Sequence, residues 1–338
     1  MRYALQRWLE SFWYDQAGSP PWYLLPLESL YNSIAAKNKR RGLAGQQSFP
    51  VPLIVVGNIS IGGTGKTPLV VYLIEYLQAK GYRPGVITRG YGGTAEDLPR
   101  LVSASDDPML YGDEPVLLAM RSGVPVVAGP DRNADVSLLL GQDVNVIISD
   151  DGMQHYRLWR DVEICLIDAE RGLGNRHCLP AGPLRESPER LEDCDIVVYH
   201  EPTAMHEVSM QLQSGMVYPL SDLGEPALPE GNAIELSHWS GQTVHAVSGI
   251  GNPARFFGAL RAQGIELIEH AFPDHHPFTA EDIQFADALP VFMTEKDAVK
   301  CRQFANKRHR VVPVSAVLSE SFDRQLSGLL TRWKPQTS

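Results

Sequence analysis

The sequence predicts an α/β protein: a P-loop-type α/β/α sandwich, a second and smaller α/β/α unit later in the chain, and an amphipathic helical segment at the N-terminus. Three observations lead there. Short apolar runs alternate with helical patterns through most of the 338 residues, the mark of a mostly parallel sheet covered by helices on both faces. A glycine-rich loop, Gly62-Gly63-Thr64-Gly65-Lys66-Thr67, follows one of those runs and opens a helix. The first 45 residues carry aromatic and aliphatic side chains at helical spacing, ending in a basic cluster. The expected boundaries are 1–45 for the helical segment, 46–220 for the P-loop domain, 221–241 for a linker and 242–338 for the C-terminal unit.

The segment comes first. Leu5, Trp8, Leu9, Phe12 and Trp13 fall at i, i+3, i+4, i+7 and i+8, with Gln6, Arg7, Glu10 and Ser11 opposite, so an amphipathic helix is expected. After the breaker Gly18-Ser19-Pro20-Pro21 a second helix places Leu27, Leu30, Tyr31, Ile34 and Ala35 on one face and ends in Lys37-Asn38-Lys39-Arg40-Arg41. Residues 1–45 carry six Lys/Arg against three acids, a net +3 within a chain whose total is −10. Packing on the protein's own core is the commoner fate of such helices. Trp8, Trp13, Trp22 and Tyr23 together with the basic cluster also suit a membrane interface.

Composition narrows the rest. A charge of −10 argues against a general nucleic-acid binder, which needs a basic face. Cys165, Cys178, Cys194 and Cys301 are scattered without metal-like spacing and read as reduced thiols. No run approaches the ~18–20 apolar residues of a membrane span, and the N-terminus does not read as a signal peptide. A cytoplasmic protein without an obligate protein partner is the expectation.

The stretch Val51 to Val56 reads as a buried strand, and Thr67 to Lys80 as a helix with Pro68 in its first turn and Gly81 just past its end. The loop between them fits a nucleotide triphosphate. Gly62, Gly63 and Gly65 let backbone N–H groups and that of Thr64 turn onto phosphates, Lys66 reaches the β- and γ-phosphates, and the Thr67 hydroxyl suits Mg²⁺. The helix N-terminus adds its positive end. The pattern G-x-x-x-x-G-K-[ST] asks for glycine at position 60, where this chain has Ser60.

Further strands are expected at 85–88, 124–128, 144–149, 162–167 and 195–199, with ligands at their carboxyl ends. The strand at 144–149 runs into Asp150-Asp151-Gly152-Met153-Gln154-His155. Asp-Asp-Gly can be merely a turn; next to a P-loop, Asp150 is placed as a magnesium anchor. Beyond the Gly/Pro-rich 221–241 region, with its expected short strand, strands are expected at 244–247, 266–271, 291–294 and 311–314, and a helix at 253–263.

Other loops cluster ionisable groups. Tyr111-Gly112-Asp113-Glu114-Pro115 and Phe272-Pro273-Asp274-His275-His276-Pro277-Phe278 could supply a base for an alcohol acceptor; adjacent His275 and His276 make a poor zinc pair. Thr88-Arg89-Gly90-Tyr91-Gly92 could lie over phosphates or a sugar, and Arg132 in Gly129-Pro130-Asp131-Arg132 sits similarly unless it is a solvated cation. In Thr294-Glu295-Lys296-Asp297 the Lys and Asp are adjacent, whereas a guanine box of the form [NT]-K-x-D separates them. GTP is not indicated.

Together these segments, with Gly57-Asn58-Ile59-Ser60, Leu179 to Glu186 and Gly249-Ile250-Gly251-Asn252-Pro253, resemble the tetraacyldisaccharide 4′-kinases, the lipid A 4′-kinases of Gram-negative bacteria, nearly end to end. Serine at position 60 is usual in that family. The resemblance implies ATP- and Mg²⁺-dependent phosphorylation of the 4′-hydroxyl of a tetraacylated glucosamine disaccharide 1-phosphate by a peripheral protein at the cytoplasmic face of the inner membrane. It implies that Lys66 and Thr67 hold phosphates and Mg²⁺, that Asp150 and Asp151 serve the metal and the reacting phosphate, and that Asp113 with His275, taken over His276 from the Asp-His order, forms the base pair. Arg132 and Glu186 carry over as nucleotide-binding residues. Two other readings share the P-loop: a nucleotide switch or ATPase acting on a protein partner, and a kinase for a soluble metabolite.

Overall fold

A computed structural model describes residues 2–14, 19–200, 205–223 and 232–333, with side chains from Trp8 onward. Leu5 and Arg7 as side chains, the Gly18 breaker and positions 224–231 of the expected linker lie outside the described residues. In chain order the helices are α1 (Arg2–Trp13), α2 (Leu25–Ala44), α3 (Lys66–Ala79), α4 (Pro108–Tyr111), α5 (Asp113–Ser122), α6 (Arg132–Leu139), α7 (Pro253–Ala262), α8 (Glu295–Cys301) and α9 (Glu320–Leu330). The strands are β1 (Leu53–Gly57), β2 (Pro84–Thr88), β3 (Arg100–Val102), β4 (Val126–Ala128), β5 (Val146–Asp150), β6 (Val162–Asp168), β7 (Ile196–His200), β8 (Ser209–Gln213), β9 (Met216–Pro219), β10 (Ile234–Glu235), β11 (Thr243–Ser248), β12 (Glu266–Ala271), β13 (Val291–Thr294), β14 (His309–Val312) and β15 (Ser315–Leu318). The α/β class expected from the alternation is the class observed.

The chain forms two compact units, one from residues 1–66, 145–211 and 318–338, the other from 67–144 and 212–317. The division falls inside α3, after Lys66. In the first unit the strands run β8-β7-β6-β1-β5, all parallel. Every residue of β1, β5 and β6 is buried, as central parallel strands require. Each fully buried Leu, Ile or Val there contributes roughly 1.5–3 kcal/mol.

Helix α2 docks on this unit by one stripe. Glu28 accepts from the Cys178 N–H (2.6 Å) and faces His177 Nδ1 (2.9 Å), while the Tyr31 hydroxyl donates to the Arg185 carbonyl (2.9 Å). Lys39 pairs with Asp193 at 3.3 Å, and Gly42 lies so close that a Cβ there would come 2.5 Å from Tyr156 Cβ. The spacing 28, 31, 39, 42 keeps these residues on one side of the helix. Because backbone atoms of Tyr156 and Arg157 lie in the way as well as Tyr156 Cβ, Gly42→Val is expected to cost about 1–3 kcal/mol through overpacking, read as a lower urea midpoint.

The outer stripe is apolar and bare: Leu27, Leu30 and Ile34 are each more than half exposed, and Trp22 and Tyr23, in the 3-10 turn that leads into the helix, are 78% and 50% exposed. Tyr31 and Ala35, grouped with them by the helical pattern, turn toward the docked side and are half-buried. In α1 the ring of Trp13 is buried and its Nε1 donates to the Pro180 carbonyl at 3.0 Å, whereas Trp8 stays exposed. Among the described residues no helix is long and apolar enough to cross a membrane.

The second unit holds β4 between parallel β2 and antiparallel β3, and a mixed sheet in the order β10-β9-β14-β13-β11-β12. Val247, Val291, Met293 and Val311 of that sheet pack with α5 and α8. Ala246, Phe292 and Val312, one position along each strand, face the opposite core with Phe256, Phe257 and Leu260 of α7. Alternate residues thus bury both faces of this sheet, α5 and α8 covering one and α7 the other. The expected strand at 311–314 is observed two residues earlier, at His309–Val312. Pro313, with no N–H to give a ladder, ends it. The short strand expected within 221–241 is β10.

Candidate functional site

The phosphate-loop residues up to Lys66, with Asp150, Asp151 and Arg185, belong to the first unit, and Thr67 opens the second. Strand β1 delivers the chain into residues 58–65, where Gly62 and Gly65 take φ of +105° and +93°, values other residues adopt only with strain. At Gly65 the constraint is double, since a Cβ would also come 3.1 Å from the His200 ring. His200, at the carboxyl end of β7, donates from Nδ1 to the Thr64 carbonyl at 2.9 Å. Gly62 and Gly63 are exposed and Thr64 is buried. Lys66 begins α3, its ammonium 3.4 Å from Asp151 Oδ1 and 3.4 Å from Asn58 Oδ1. Thr67 follows on the same first turn.

Asp150 closes β5 with 1% exposure, in register with Val56 of β1. Asp151, one step on, has φ of +50°, a left-handed conformation rare for a side-chain-bearing residue. Arg185 Nη1 stands 3.3 Å from both its oxygens. Burial works against this carboxylate, but the charges of Lys66 and Arg185 and their hydrogen bonds outweigh it and hold its pKa below the ordinary aspartate value. Glu186 is engaged within the protein: Gln154 Nε2 donates to one oxygen (2.8 Å) and the Tyr156 hydroxyl to the other. Gln154 also donates to the Asn58 carbonyl at 3.1 Å, so Glu186 steadies the residue that borders the loop.

The base-bearing group belongs to the second unit. Gly112, at φ +94°, turns the chain into α5 so that Asp113 is its first residue. Asp113 is 5% exposed. Its Oδ1 accepts from the Glu114 N–H at 2.9 Å, and its Oδ2 faces His275 Nδ1 at 3.1 Å. His275 sits at φ +58°, while His276 turns away to Asp282 at 3.2 Å. Among the described residues only Asp151, Arg176 and His275 are non-glycine residues with positive φ, and two of the three are site candidates, where backbone strain tends to collect.

Burial raises the Asp113 carboxyl, but the hydrogen bond with His275 and the charges of Lys296, His275 and Lys300 bring its pKa below the usual value. The same hydrogen bond raises His275, overcoming desolvation and the Lys296 charge. Arg132 opens α6 in this unit with 3% exposure. Its Nη1 donates to the Gly129 carbonyl and to Asp135 Oδ2, both at 3.2 Å. Burial pushes Asp135 up to about 6 despite Arg132 beside it.

Local sequence does not single out His200, bonded to the Thr64 carbonyl, Arg185 as the second cation on Asp151, or Lys296 and Lys300 beside His275 and Asp113. Each left a signal: His200 directly follows a predicted strand, Arg185 lies in the Leu179 to Glu186 motif, and the two lysines are spaced i, i+4.

A family model described as Tetraacyldisaccharide-1-P 4′-kinase matches residues 20–331. The tetraacyldisaccharide 4′-kinase of Pseudomonas fluorescens (strain SBW25) is 47% identical over 328 residues, covering 94% of this chain and 95% of the relative. That of Nitrosococcus oceani is 46% identical, covering 94% and 93%. Among solved structures, an "apo" form of LpxK from Aquifex aeolicus in complex with ATP aligns with a TM-score of 0.74 at 28% identity, over 92% of this chain and 98% of that one. With the fold, the glycine loop and these matches spanning nearly its whole length, the chain belongs to the tetraacyldisaccharide-1-P 4′-kinase family.

Proposed function

We propose that the protein, a tetraacyldisaccharide 4′-kinase by family, moves the γ-phosphoryl group of ATP to the 4′-hydroxyl of a tetraacylated disaccharide 1-phosphate in lipid A biosynthesis, using the residues described above. The observation that carries the residue assignment is the 3.1 Å contact of Asp113 with His275. A sugar hydroxyl must lose its proton as it attacks phosphorus, and a carboxylate with an oriented imidazole is suited to receive it. A nucleotide switch has no need of such a pair.

The glycine loop binds the triphosphate through backbone N–H groups, and the Lys66 ammonium stabilises charge on the transferring group. The 4′ O–H bond breaks toward the Asp113–His275 pair, the oxygen forms a bond to the γ-phosphorus, and the bond to ADP breaks with its electrons leaving on ADP. Arg185, through Asp151, and Glu186, through Gln154, position this loop; Arg132, held by Asp135 and the Gly129 carbonyl, is kept as a nucleotide-binding residue on the family resemblance alone. The donors offered to a metal, the Thr67 hydroxyl and the buried Asp150 carboxylate, are hard oxygens of the kind Mg²⁺ takes alongside phosphates and water. When bound there, Mg²⁺ would neutralise and align the phosphates.

The substrate's four acyl chains place it in a bilayer, and the bare stripe of α2 supports a peripheral position at an anionic membrane surface. Leu27, Leu30 and Ile34 continue at helical spacing into Lys37 and Arg41, an apolar strip running into cations as an interfacial helix requires. Deleting residues 1–45 is expected to abolish co-flotation with vesicles containing anionic phospholipid; unchanged flotation would remove the membrane assignment. The catalytic reading is tested by incubating the protein with Mg·ATP and tetraacyldisaccharide 1-phosphate. A product carrying one new phosphate at the 4′ position is expected, and phosphate at any other position would contradict it.

A further inference from the structure

The motif Thr294-Glu295-Lys296-Asp297 has no part in the chemistry proposed so far, and the structure shows where it points. The Thr294 hydroxyl accepts from the Asp297 N–H (3.2 Å) to cap α8 and donates to Asp297 Oδ2 (2.7 Å). Asp297, fully buried, also accepts from the Gly249 N–H (2.9 Å), and its other oxygen lies 3.1 Å from Lys300 Nζ. Gly249 in turn accepts the His275 N–H at 3.2 Å. One short helix is thereby tied to the loop that carries His275. Lys296 and Lys300, spaced i, i+4, share a face of it: Lys300 Nζ is 3.9 Å from Asp113 Oδ2, and Lys296 Nζ is 3.3 Å from His275 Nε2.

An ammonium has three N–H donors and no acceptor. Those of Lys296 have three partners in reach: Glu114 Oε1 at 3.2 Å, Asp274 Oδ1 at 3.5 Å and His275 Nε2 at 3.3 Å. In that contact Nε2 must be the acceptor. The remaining ring proton then lies on Nδ1, where it donates to Asp113 Oδ2. Placing a further proton on Nε2 would set an N–H against the ammonium.

On the reading that Asp113 and His275 form the base, we propose that Lys296 is the positioning residue that holds His275 as its Nδ1–H tautomer and opposes protonation of the pair, so that the pair can accept the sugar proton at neutral pH. The groups around the Asp113–His275 pair divide by sign. Asp113 of α5 and Asp274 of the histidine's own loop favour the imidazolium and Lys296 of α8 opposes it; Lys300 of α8 lies beside Asp113, Glu114 of α5 neutralises part of the Lys296 charge, and the Tyr91 ring centre is 5.1 Å from that of His275. Glu114, Asp113 and Asp274 raise the Lys296 pKa against the effect of burial, so its charge persists throughout the range in which histidine titrates.

The sign follows from removing that charge. Without Lys296 the proton affinity of the pair increases, and the acidic limb of the kcat profile moves to higher pH. K296M is expected to shift that limb upward by about one unit, so that turnover falls about tenfold on the acid side of the limb and recovers toward the wild-type value near pH 9. K296R should bring the limb back. A uniform loss across the whole pH range, or an unmoved limb, would overturn the proposal and leave Lys296 a structural ion-pair partner. Loss of turnover in D113A, measured in parallel, tests the base assignment separately. If K296M does not fold, ¹⁵N spectra of histidine-labelled wild-type enzyme read the same geometry: a protonated Nδ1 and a bare Nε2 on His275 support the proposal, and an Nε2–H tautomer overturns it.

Discussion

Lys66→Ala is expected to abolish phosphoryl transfer, lowering kcat by about 10²–10³-fold or more, while the protein still folds. Lys66 is the first residue of α3 rather than a core residue, and its ammonium is held by Asp151 and Asn58. Truncation removes a positive charge aimed along the loop without disturbing the strands beneath it, since β1 and β5 are wholly buried by other side chains. Asp151 keeps Arg185 as a partner, so no carboxylate is left without a cation. The thermal midpoint should therefore stay within a few degrees of wild type, as for changes outside the core. Near-normal kcat in this variant would mean that the loop does not carry the γ-phosphate.

Asp113→Ala is expected to cut kcat by roughly 10²–10⁴-fold, the usual contribution of a positioned base, with ATP affinity altered by no more than a factor of about three, because Asp113 touches His275 and the lysines rather than the glycine loop. The wild-type pH profile follows from the same contact. With His275 raised above its ordinary 6.5 by Asp113, turnover should fall as pH drops through a limb lying above 6.5, where the pair gains its extra proton and can no longer accept one. The apparent value belongs to the coupled pair rather than to either residue. Near-normal turnover in Asp113→Ala, or a profile flat down to pH 5.5, would remove the pair from the mechanism.

What could be read from residues alone divides by range along the chain. The strand, glycine loop and helix around Lys66 are contiguous, and local chemistry identifies them without knowledge of the fold. Buried parallel strands such as β5 and β6 show as apolar runs because both their faces are covered. Strand β9, Met216–Pro219, is only four residues long and ends in proline, and β3 has three residues of which one is arginine, so both are too short to register as a periodic pattern. The contact between Asp113 and His275 spans 162 positions, and no spacing rule reaches across such an interval; only family resemblance joined the two.

Periodicity also says which residues share a helix face without saying what covers it. In α2 the same apolar pattern includes Leu27, Leu30 and Ile34, which are bare, and Tyr31, which is bonded to the Arg185 carbonyl. In α1 it includes both exposed Trp8 and buried Trp13. Trp13 thus followed the ordinary fate of an amphipathic helix residue, packing on the protein's own core, while the outer face of α2 did not. The role of Lys296 was hidden for a related reason. Its motif resembles a nucleotide-base reader in sequence, whereas its geometry directs the charge at an imidazole.

The most direct test of the account is a single-turnover experiment with ATP labelled at the γ-phosphate, Mg²⁺ and vesicles carrying tetraacyldisaccharide 1-phosphate, with lipid and water-soluble products separated after quenching. The label is expected to enter the lipid at the 4′ position, and Lys66→Ala and Asp113→Ala are each expected to suppress this transfer. Label released only as orthophosphate, at a rate insensitive to the lipid, would contradict it and point to a nucleotide switch instead.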